Sequence, residues 1–237
     1  MKASANGGRS LCAIGALPGC DLAPGFMASS APVSEPQISQ AYDGPGSGCR
    51  GKSIACAGAS KHCYAMSVRR AGAKDAMGIA IVHVRSWQAA YLGLMPQDYL
   101  DSLEAEQRLP VWERIVGEAE WPRAGTFVAE DGGEVVGFAS ICPARDDDAE
   151  PASAGELTAI YLLPGLWGTG LGRELMTSGL SALSDAGFGE AILWALDTNS
   201  RARRFYEAAG WHADGAVKQD GSRGFMLNEV RYRRPLP

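Results

Sequence analysis

A glycine-rich turn between an apolar strand and a helix is the segment of this chain best suited to chemistry. It lies within residues 155–173, GELTAIYLLPGLWGTGLGR. Glycine lets the main chain approach a bound group closely, and the first N–H groups of a helix are unpaired donors at the positive end of the helix dipole. Such donors suit a diphosphate, so the turn predicts a site for an anionic, nucleotide-type cofactor.

The composition limits the classes of protein to which this chain can belong. Its 237 residues are 46% hydrophobic and 21% charged, so we expect one globular domain with a tail. The net charge of −5 argues against a surface that coats nucleic acid, because phosphate backbones need clustered Lys and Arg. No window approaches about 18 uninterrupted apolar residues, and we therefore expect a protein without membrane spans.

The first 63 residues differ in character from the rest. They are rich in Gly, Ala, Ser and Pro and lack apolar periodicity, which predicts a disordered tail at 1–63 and a folded domain at 64–237. Met66 begins the regular pattern, which gives the hypothesis that the tail is an over-extended reading frame. Five of the six cysteines lie in the tail. A domain without a disulfide framework is typical of a reducing compartment, so we expect a cytoplasmic location.

Two patterns in the tail resemble ligand sites but lack the required context. Residues 46–53, GSGCRGKS, match the phosphate loop of nucleotide hydrolases, yet no apolar strand precedes them. A hydrolase that uses Lys52 is therefore disfavoured. Cys49, Cys56, His62 and Cys63 include no Cys-x-x-Cys knuckle, and we predict no metal site.

Apolar periodicity predicts strands and helices throughout the domain. The predicted strands are 64–70, 126–130, 135–144, 156–162, 190–196, 211–217 and 225–233. The predicted helices are 75–94, 96–103, 104–116, a helix from the glycine turn to Ala186, and 199–209. This order predicts an α/β (α+β) fold class, with a mixed sheet and helices on both faces.

Two motifs then resemble the GNAT superfamily of acyl-CoA-dependent N-acyltransferases over about residues 66–236. Gly170 and Gly172 take the glycine positions of the family signature R/Q-x-x-G-x-G/A, with Trp167 at the position of the Arg or Gln. Residues 197–211, DTNSRARRFYEAAGW, are similar to the family segment N-x-x-A-x-x-x-Y-x-x-x-G-[FW]. The resemblance implies a mostly antiparallel central sheet and acetyl-CoA as co-substrate.

The resemblance also implies the residues that hold this co-substrate. The turn would bind the pyrophosphate through Trp167, Gly168, Thr169, Gly170, Leu171, Gly172 and Arg173. The pantetheine arm would lie along Ile160, Tyr161 and Leu162, where the family's fourth and fifth strands separate. Asn199 would contact the pantetheine, or serve as a helix N-cap, or both. Arg173 has the alternative role of a solvated charge in the first turn of a helix.

The resemblance places a proton donor at Tyr206, which would protonate the departing sulfur. Phenol suits this role because its ordinary pKa near 10 keeps it protonated at neutral pH. We take Glu156 as the candidate base, because a carboxylate beside an apolar cleft can have a raised pKa, with Glu130 and Asp197 as alternatives. The competing interpretations are that Tyr206 serves only in packing and that Glu156 is a solvated carboxylate at the end of a strand.

The sequence therefore predicts an N-acetyltransferase acting on a primary amine, either a small molecule or a protein N-terminus. The run 85–96, RSWQAAYLGLMP, resembles the helical region where the family's acceptor groove begins, so Trp87 and Tyr91 are the predicted acceptor residues, with core packing as the alternative. A non-catalytic acyl-CoA sensor is the second function considered; it would not need Tyr206. The acidic net charge favours a cationic acceptor, and the sequence indicates no oligomeric state.

Overall fold

The computed structural model describes residues 66–146 and 153–237. The predictions for the tail at 1–63, including its disorder, its phosphate-loop match and its cysteines, concern residues outside these ranges. Within the described residues, the chain forms a seven-stranded sheet with helices on both faces, which confirms the predicted fold class.

The strands and helices lie close to their predicted positions. The strands are β1 Ser67–Arg70, β2 Gly125–Asp131, β3 Glu134–Pro143, β4 Ala154–Leu162, β5 Glu190–Leu196, β6 His212–Asp220 and β7 Leu227–Pro235. The helices are α1 Ala76–Ala90, α2 Gln97–Asp101, α3 Ala105–Gly117, α4 Leu171–Asp185 and α5 Ser200–Ala208.

Several boundaries differ from the sequence-based expectation by up to four residues, and two of these differences bear on the site. The first helix ends at Ala90, and residues 91–94 form a turn in which the N–H of Leu94 donates to the Tyr91 carbonyl. A glycine at φ 74°, Gly93, supplies the left-handed backbone that ends the helix. Strand β4 begins two residues earlier than expected, so Glu156 lies within it and not at its start.

The sheet order is β1-β2-β3-β4-β5-β7-β6, and β4 and β5 are its parallel pair. All other neighbouring strands are antiparallel. Helices α1 and α3 pack on one face with Ile79, Trp112 and Phe138 in the core. On the other face α4 buries a stripe that lies at helical spacing: Leu171, Leu175, Met176, Leu180 and Leu183.

A buried histidine joins α1 to the sheet. His83 is 4% exposed, its Nδ1 accepts a hydrogen bond from Trp112 Nε1 at 3.2 Å, and its ring stacks on Tyr161 with 5.6 Å between centroids. Burial, with a smaller effect of Arg108 and Arg223, lowers the pKa of His83 to about 3. The imidazole is therefore neutral in the folded protein at neutral pH.

This histidine should make the protein less stable in mild acid. The folded pKa of about 3 lies below the unfolded pKa of about 6.5, so the unfolded chain binds the extra proton and stability falls as the pH drops below 6.5. Between pH 7 and pH 5 the cost is about 2 kcal/mol. The measurement is the free energy of unfolding in urea at both pH values, for the wild type and for His83→Gln. Equal pH dependence in the two proteins would contradict the assignment.

Candidate functional site

Strands β4 and β5 separate after only three residue pairs, and the candidate site lies in the resulting gap. The pairs are Ala154 with Glu190, Gly155 with Ala191, and Glu156 with Ile192. Beyond them β4 continues to pair with β3, and β5 continues to pair with β7. The facing edges of the two strands therefore expose backbone donors and acceptors to the gap, where a ligand can pair with them.

The glycine turn lies at the end of β4, at one opening of this gap. Gly168 and Gly170 have φ of 82° and 97°, and Gly170 is the N-cap of α4. A Cβ on Gly172 would lie 3.1 Å from Leu162 Cδ1, so the first turn of α4 packs closely on β4. Among the described residues, none accepts a hydrogen bond from the N–H groups of Gly168, Gly170 and Gly172. These amides are available to an anion.

A cleft of about 400 Å³ runs from this turn along β4 to α5; we name it the glycine-turn cleft. It is lined by Ile160, Tyr161, Leu162, Trp167, Gly168, Gly170, Gly172, Arg173, Arg201, Ala202, Phe205 and Tyr206. Most of the residues predicted to hold the co-substrate are therefore brought together. Leu171 is instead buried in the core, and the Thr169 hydroxyl donates to the Leu166 carbonyl at 2.8 Å.

Trp167 and Arg201 form a stacked pair on the wall of the cleft. The indole N–H of Trp167 donates to the Leu162 carbonyl at 3.0 Å, which fixes the ring at the end of β4. The guanidinium carbon of Arg201 lies 3.4 Å from the centre of that ring. Partial burial lowers the pKa of Arg201, and no described carboxylate forms an ion pair with it. Sequence reasoning missed Arg201, although it lies inside the second motif.

Tyrosines line the gap between the two strands. Tyr206 contributes to the glycine-turn cleft and to a second cavity of about 100 Å³ between β4 and β5, which we name the splay cavity. Burial raises the pKa of Tyr206, with Tyr161 and Tyr232 adding to the effect, so its phenol is protonated at neutral pH. Tyr91 and Tyr161 also line the splay cavity, and their hydroxyl oxygens are 3.2 Å apart.

Asn199 occupies the end of the splay cavity and caps α5. It is 7% exposed, and its Oδ1 accepts a hydrogen bond from the Ala202 N–H at 3.1 Å. The capping role considered from sequence is therefore present, and it leaves the amide N–H₂ of Asn199 as a donor on the cavity side.

A third cavity, of about 60 Å³, adjoins the splay cavity on the side of β7; we name it the β7 pocket. It is lined by Trp87, Tyr91, Met95, Glu156, Thr158, Tyr161, Trp194, Leu196, Lys218, Arg223, Leu227 and Glu229. Five of these residues, Tyr91, Thr158, Tyr161, Trp194 and Leu196, also line the splay cavity. Both predicted acceptor residues, Trp87 and Tyr91, thus face this pocket.

The predicted base, Glu156, is held by a guanidinium. Its carboxylate is 4% exposed and accepts two hydrogen bonds from Arg145, Nε to Oε2 at 2.9 Å and Nη2 to Oε1 at 2.6 Å. The alternative base Glu130 accepts from Arg69 at 2.6 Å on the second strand of the sheet. Neither Glu130 nor Asp197 is among the residues that line the three cavities.

A further carboxylate, Glu229 on β7, was not found from sequence. It lies opposite Leu196 in the β5–β7 ladder, at the end of β5 where the gap is open. Its Oε2 is buried and lies 3.2 Å from Lys218 Nζ, without the alignment of a hydrogen bond. Glu229 adds to the rise in pKa that burial gives Tyr91 and Tyr161. No sequence motif marks this residue, because only strand pairing brings β7 beside the gap.

Two searches of the described ranges, 66–146 and 153–237, gave negative results. No group of three or more His, Cys, Asp or Glu side chains in these ranges is arranged to hold a metal ion. No helix in them combines the length and the apolar character needed to cross a bilayer.

Comparison with known proteins identifies the family. Residues 85–211 match the profile of the Acetyltransferase (GNAT) family. The chain is 37% identical over 168 residues to the uncharacterized N-acetyltransferase YuaI of Bacillus subtilis, a match that covers 70% of this chain and 90% of that protein. The chain belongs to the GNAT family. A probable N-acetyltransferase of Mycobacterium tuberculosis, Rv2775, is 28% identical over 150 residues, which cover 62% of this chain and 80% of that protein.

Solved structures share the fold of this GNAT protein. The PaiA N-acetyltransferase from Thermoplasma acidophilum, in complex with coenzyme A, matches with a TM-score of 0.57 and 19% identity over 72% of this chain and 99% of that one. The YncA structure from Salmonella typhimurium, with its cofactor acetyl-CoA, matches with a TM-score of 0.55 and 20% identity over 73% of this chain and 95% of that one. At these identities the likeness is one of fold.

Proposed function

We propose that this protein is an enzyme that transfers the acetyl group of acetyl-CoA to a primary amine. The observation that carries the proposal is the position of Tyr206. It lines both the glycine-turn cleft and the splay cavity, so one path leads from unpaired backbone amides, past opened strand edges, to a half-buried phenol. A sensor would need the amides but not the phenol, and we therefore favour catalysis.

Acetyl-CoA fits the groups that line this path, and it supplies an activated thioester when bound. We propose that the N–H groups of Gly168, Gly170 and Gly172 bind its pyrophosphate, with the dipole of α4 adding roughly 0.3 to 1 kcal/mol. That contribution is too small to hold a polyanion to an acidic protein, so cations must add to it. Arg173 and Arg201 line the same cleft and are suited to this role. The open edge of 160–162 and the Asn199 amide are the proposed partners of the pantetheine arm.

The proposed reaction is a direct transfer. The neutral amine attacks the thioester carbonyl, a C–N bond forms, the C–S bond breaks, and the acetyl group leaves with the acceptor. Tyr206 donates its proton to the departing sulfur; burial raises the pKa of the phenol, so the phenol carries its proton until that step. The proton lost by the amine passes to a carboxylate of the β7 pocket.

We place that proton acceptor at Glu229 in preference to Glu156. Both oxygens of Glu156 accept hydrogen bonds from Arg145, and a carboxylate held in this way is a weaker proton acceptor that is suited to positioning. Glu229 faces the same pocket and forms one ion pair, in which its Oε2 lies 3.2 Å from Lys218 Nζ without the alignment of a hydrogen bond. A water molecule can relay the proton where the amine does not reach the carboxylate.

Replacement of the phenol tests the proposed function. We expect Tyr206→Phe to lower kcat by roughly 10²- to 10⁴-fold while the Kd for acetyl-CoA stays within twofold, because the variant loses a proton and keeps the ring. The measurements are thiol release with an amine panel, and calorimetry. Tyr99→Phe is the control, since Tyr99 packs on Phe225 away from the three cavities. A Tyr206→Phe variant with wild-type turnover would remove the residue from the mechanism.

The role of the stacked arginine is tested through the phosphates of the co-substrate. We expect Arg201→Ala to weaken coenzyme A binding by roughly 10- to 100-fold, the range for a charge-assisted hydrogen bond. Phosphate-free pantetheine should bind the variant and the wild type equally. Arg204→Ala, which removes an exposed cation on the same helix, is the matched control for calorimetry. An equal loss for pantetheine would show that Arg201 supports the cleft and does not bind phosphate.

The two glutamates are distinguished by neutral substitutions. We expect Glu229→Gln to lower kcat/KM by roughly 10²- to 10⁴-fold, because the proton acceptor is lost. Glu156→Gln should lose less than about tenfold. Thermal melting of both variants reports whether each is folded. The reverse order of effects would assign the base to Glu156.

A further inference from the structure

The β7 pocket is lined by both positive and negative side chains. If the proposed function holds, these charges decide which acceptors the pocket can bind. Its lining includes two carboxylates, Glu156 and Glu229, and two cations, Lys218 and Arg223. Arg145 binds Glu156 from outside the pocket, and Asp220 forms an ion pair with Arg223. The local charge is therefore balanced, although the whole chain is acidic.

This balance argues against the cationic acceptor that the net charge favours. A diamine would place a second ammonium beside Lys218 and Arg223 in a pocket of about 60 Å³, where like charges repel. A carboxylate placed there gains two charge-assisted contacts. Arg223 has five N–H donors and Lys218 has three, so each can bind a ligand oxygen in addition to its internal partner.

A buried donor independently indicates an acceptor oxygen in this pocket. Trp87 is 7% exposed and lines the pocket; its Nε1–H lies near the Tyr161 hydroxyl but has no acceptor among the described residues in hydrogen-bonding geometry. A buried N–H without an aligned acceptor is costly, so a ligand oxygen that accepts from it recovers part of this cost. The Arg223 guanidinium carbon is 5.6 Å from the centre of the same indole ring, so the donor and the cation lie on one side of the pocket.

The remaining walls are apolar and set the shape of the acceptor. Met95, Trp194 and Leu227 line the pocket, and Lys218 Nζ lies 4.3 Å from the centre of the Trp194 ring. Such walls favour an aliphatic or thioether side chain over a polar one. Glu229, on the strand opposite Leu196, is left as the partner of an ammonium group.

We propose that the acceptor is an α-amino acid with an apolar side chain. The acceptor occupies the β7 pocket and extends into the adjoining splay cavity, which shares five lining residues with it. Its carboxylate binds Arg223, Lys218 and the Trp87 N–H, its ammonium group faces Glu229, and its side chain packs on the apolar walls. Glu229 takes one proton of the ammonium group and passes it to solvent, which leaves the neutral amine that attacks the thioester. The second proton, released as the C–N bond forms, then passes to Glu229 as in the proposed reaction.

Matched acceptors test the inference. L-leucine, L-leucinamide and isopentylamine share an amine and a branched alkyl chain and differ in the carboxylate; L-methionine and 3-(methylthio)propylamine form a second set. We expect kcat/KM with acetyl-CoA to be at least about tenfold higher for each amino acid, the equivalent of one charged contact. The ammonium group of leucinamide is more acidic than that of leucine, so a larger fraction of leucinamide is the neutral amine. A lower rate with leucinamide therefore does not arise from protonation of its amine.

Substitution of Arg223 and Lys218 tests whether the β7 pocket causes the preference for amino acids. Arg223→Met and Lys218→Met should each reduce the preference for the amino acid over isopentylamine at least threefold. Arg223→Lys should restore part of the preference. Arg114→Met removes an exposed cation from α3, outside the lining of the pocket, and should leave the preference unchanged.

Three outcomes distinguish failure of the inference, failure of the assignment to the β7 pocket and failure of the proposed function. Equal or faster transfer to the amines that lack a carboxylate would overturn the inference and leave the transferase intact. A preference for amino acids that survives in both methionine variants would overturn the assignment to this pocket. No transfer to any acceptor by a protein that binds acetyl-CoA would overturn the proposed function, and the inference with it.

Discussion

The separation of β4 from β5 is the structural constraint on which the site depends. The strands share three residue pairs, and each then keeps only its outer neighbour. Unpaired backbone groups inside a protein are costly, so such a gap persists where side chains or a ligand satisfy them. Here the Leu162 carbonyl accepts hydrogen bonds from Ser86 at 2.9 Å and from Trp167 at 3.0 Å. The rest of the edge remains open to a ligand that can pair like a strand.

The walls of the gap hold polar groups, and their low access to water strengthens the hydrogen bonds that they form. Low solvent access raises the pKa of Tyr91, Tyr161 and Tyr206, so all three phenols stay protonated and can donate hydrogen bonds. The same burial keeps His83 neutral behind Tyr161. The protonated phenols and the neutral imidazole thus have one cause, which is their low access to water.

The charged groups of this protein act over short distances, so its net charge does not describe the charge around the site. Unpaired amides and arginines concentrate positive potential at the glycine-turn cleft, although acidic residues outnumber basic ones by 27 to 22. Trp167 replaces the Arg or Gln of the family signature, yet Arg201 lies over its ring, so a guanidinium still lines the cleft. Arg201 comes from another helix, and only the packing of α5 against the turn brings the two residues together.

The sequence by itself determined the order of strands and helices, the phosphate-type turn and the tyrosine after the fifth strand. These depend on local chemistry: apolar spacing selects strand or helix, and glycine permits the positive φ at positions 168 and 170. Only the tertiary structure decided that Glu229, Lys218 and Arg223 share a pocket with Trp87, and that Arg145 holds Glu156. Those contacts join residues far apart in the chain, and strand pairing, which no local pattern encodes, sets their distance.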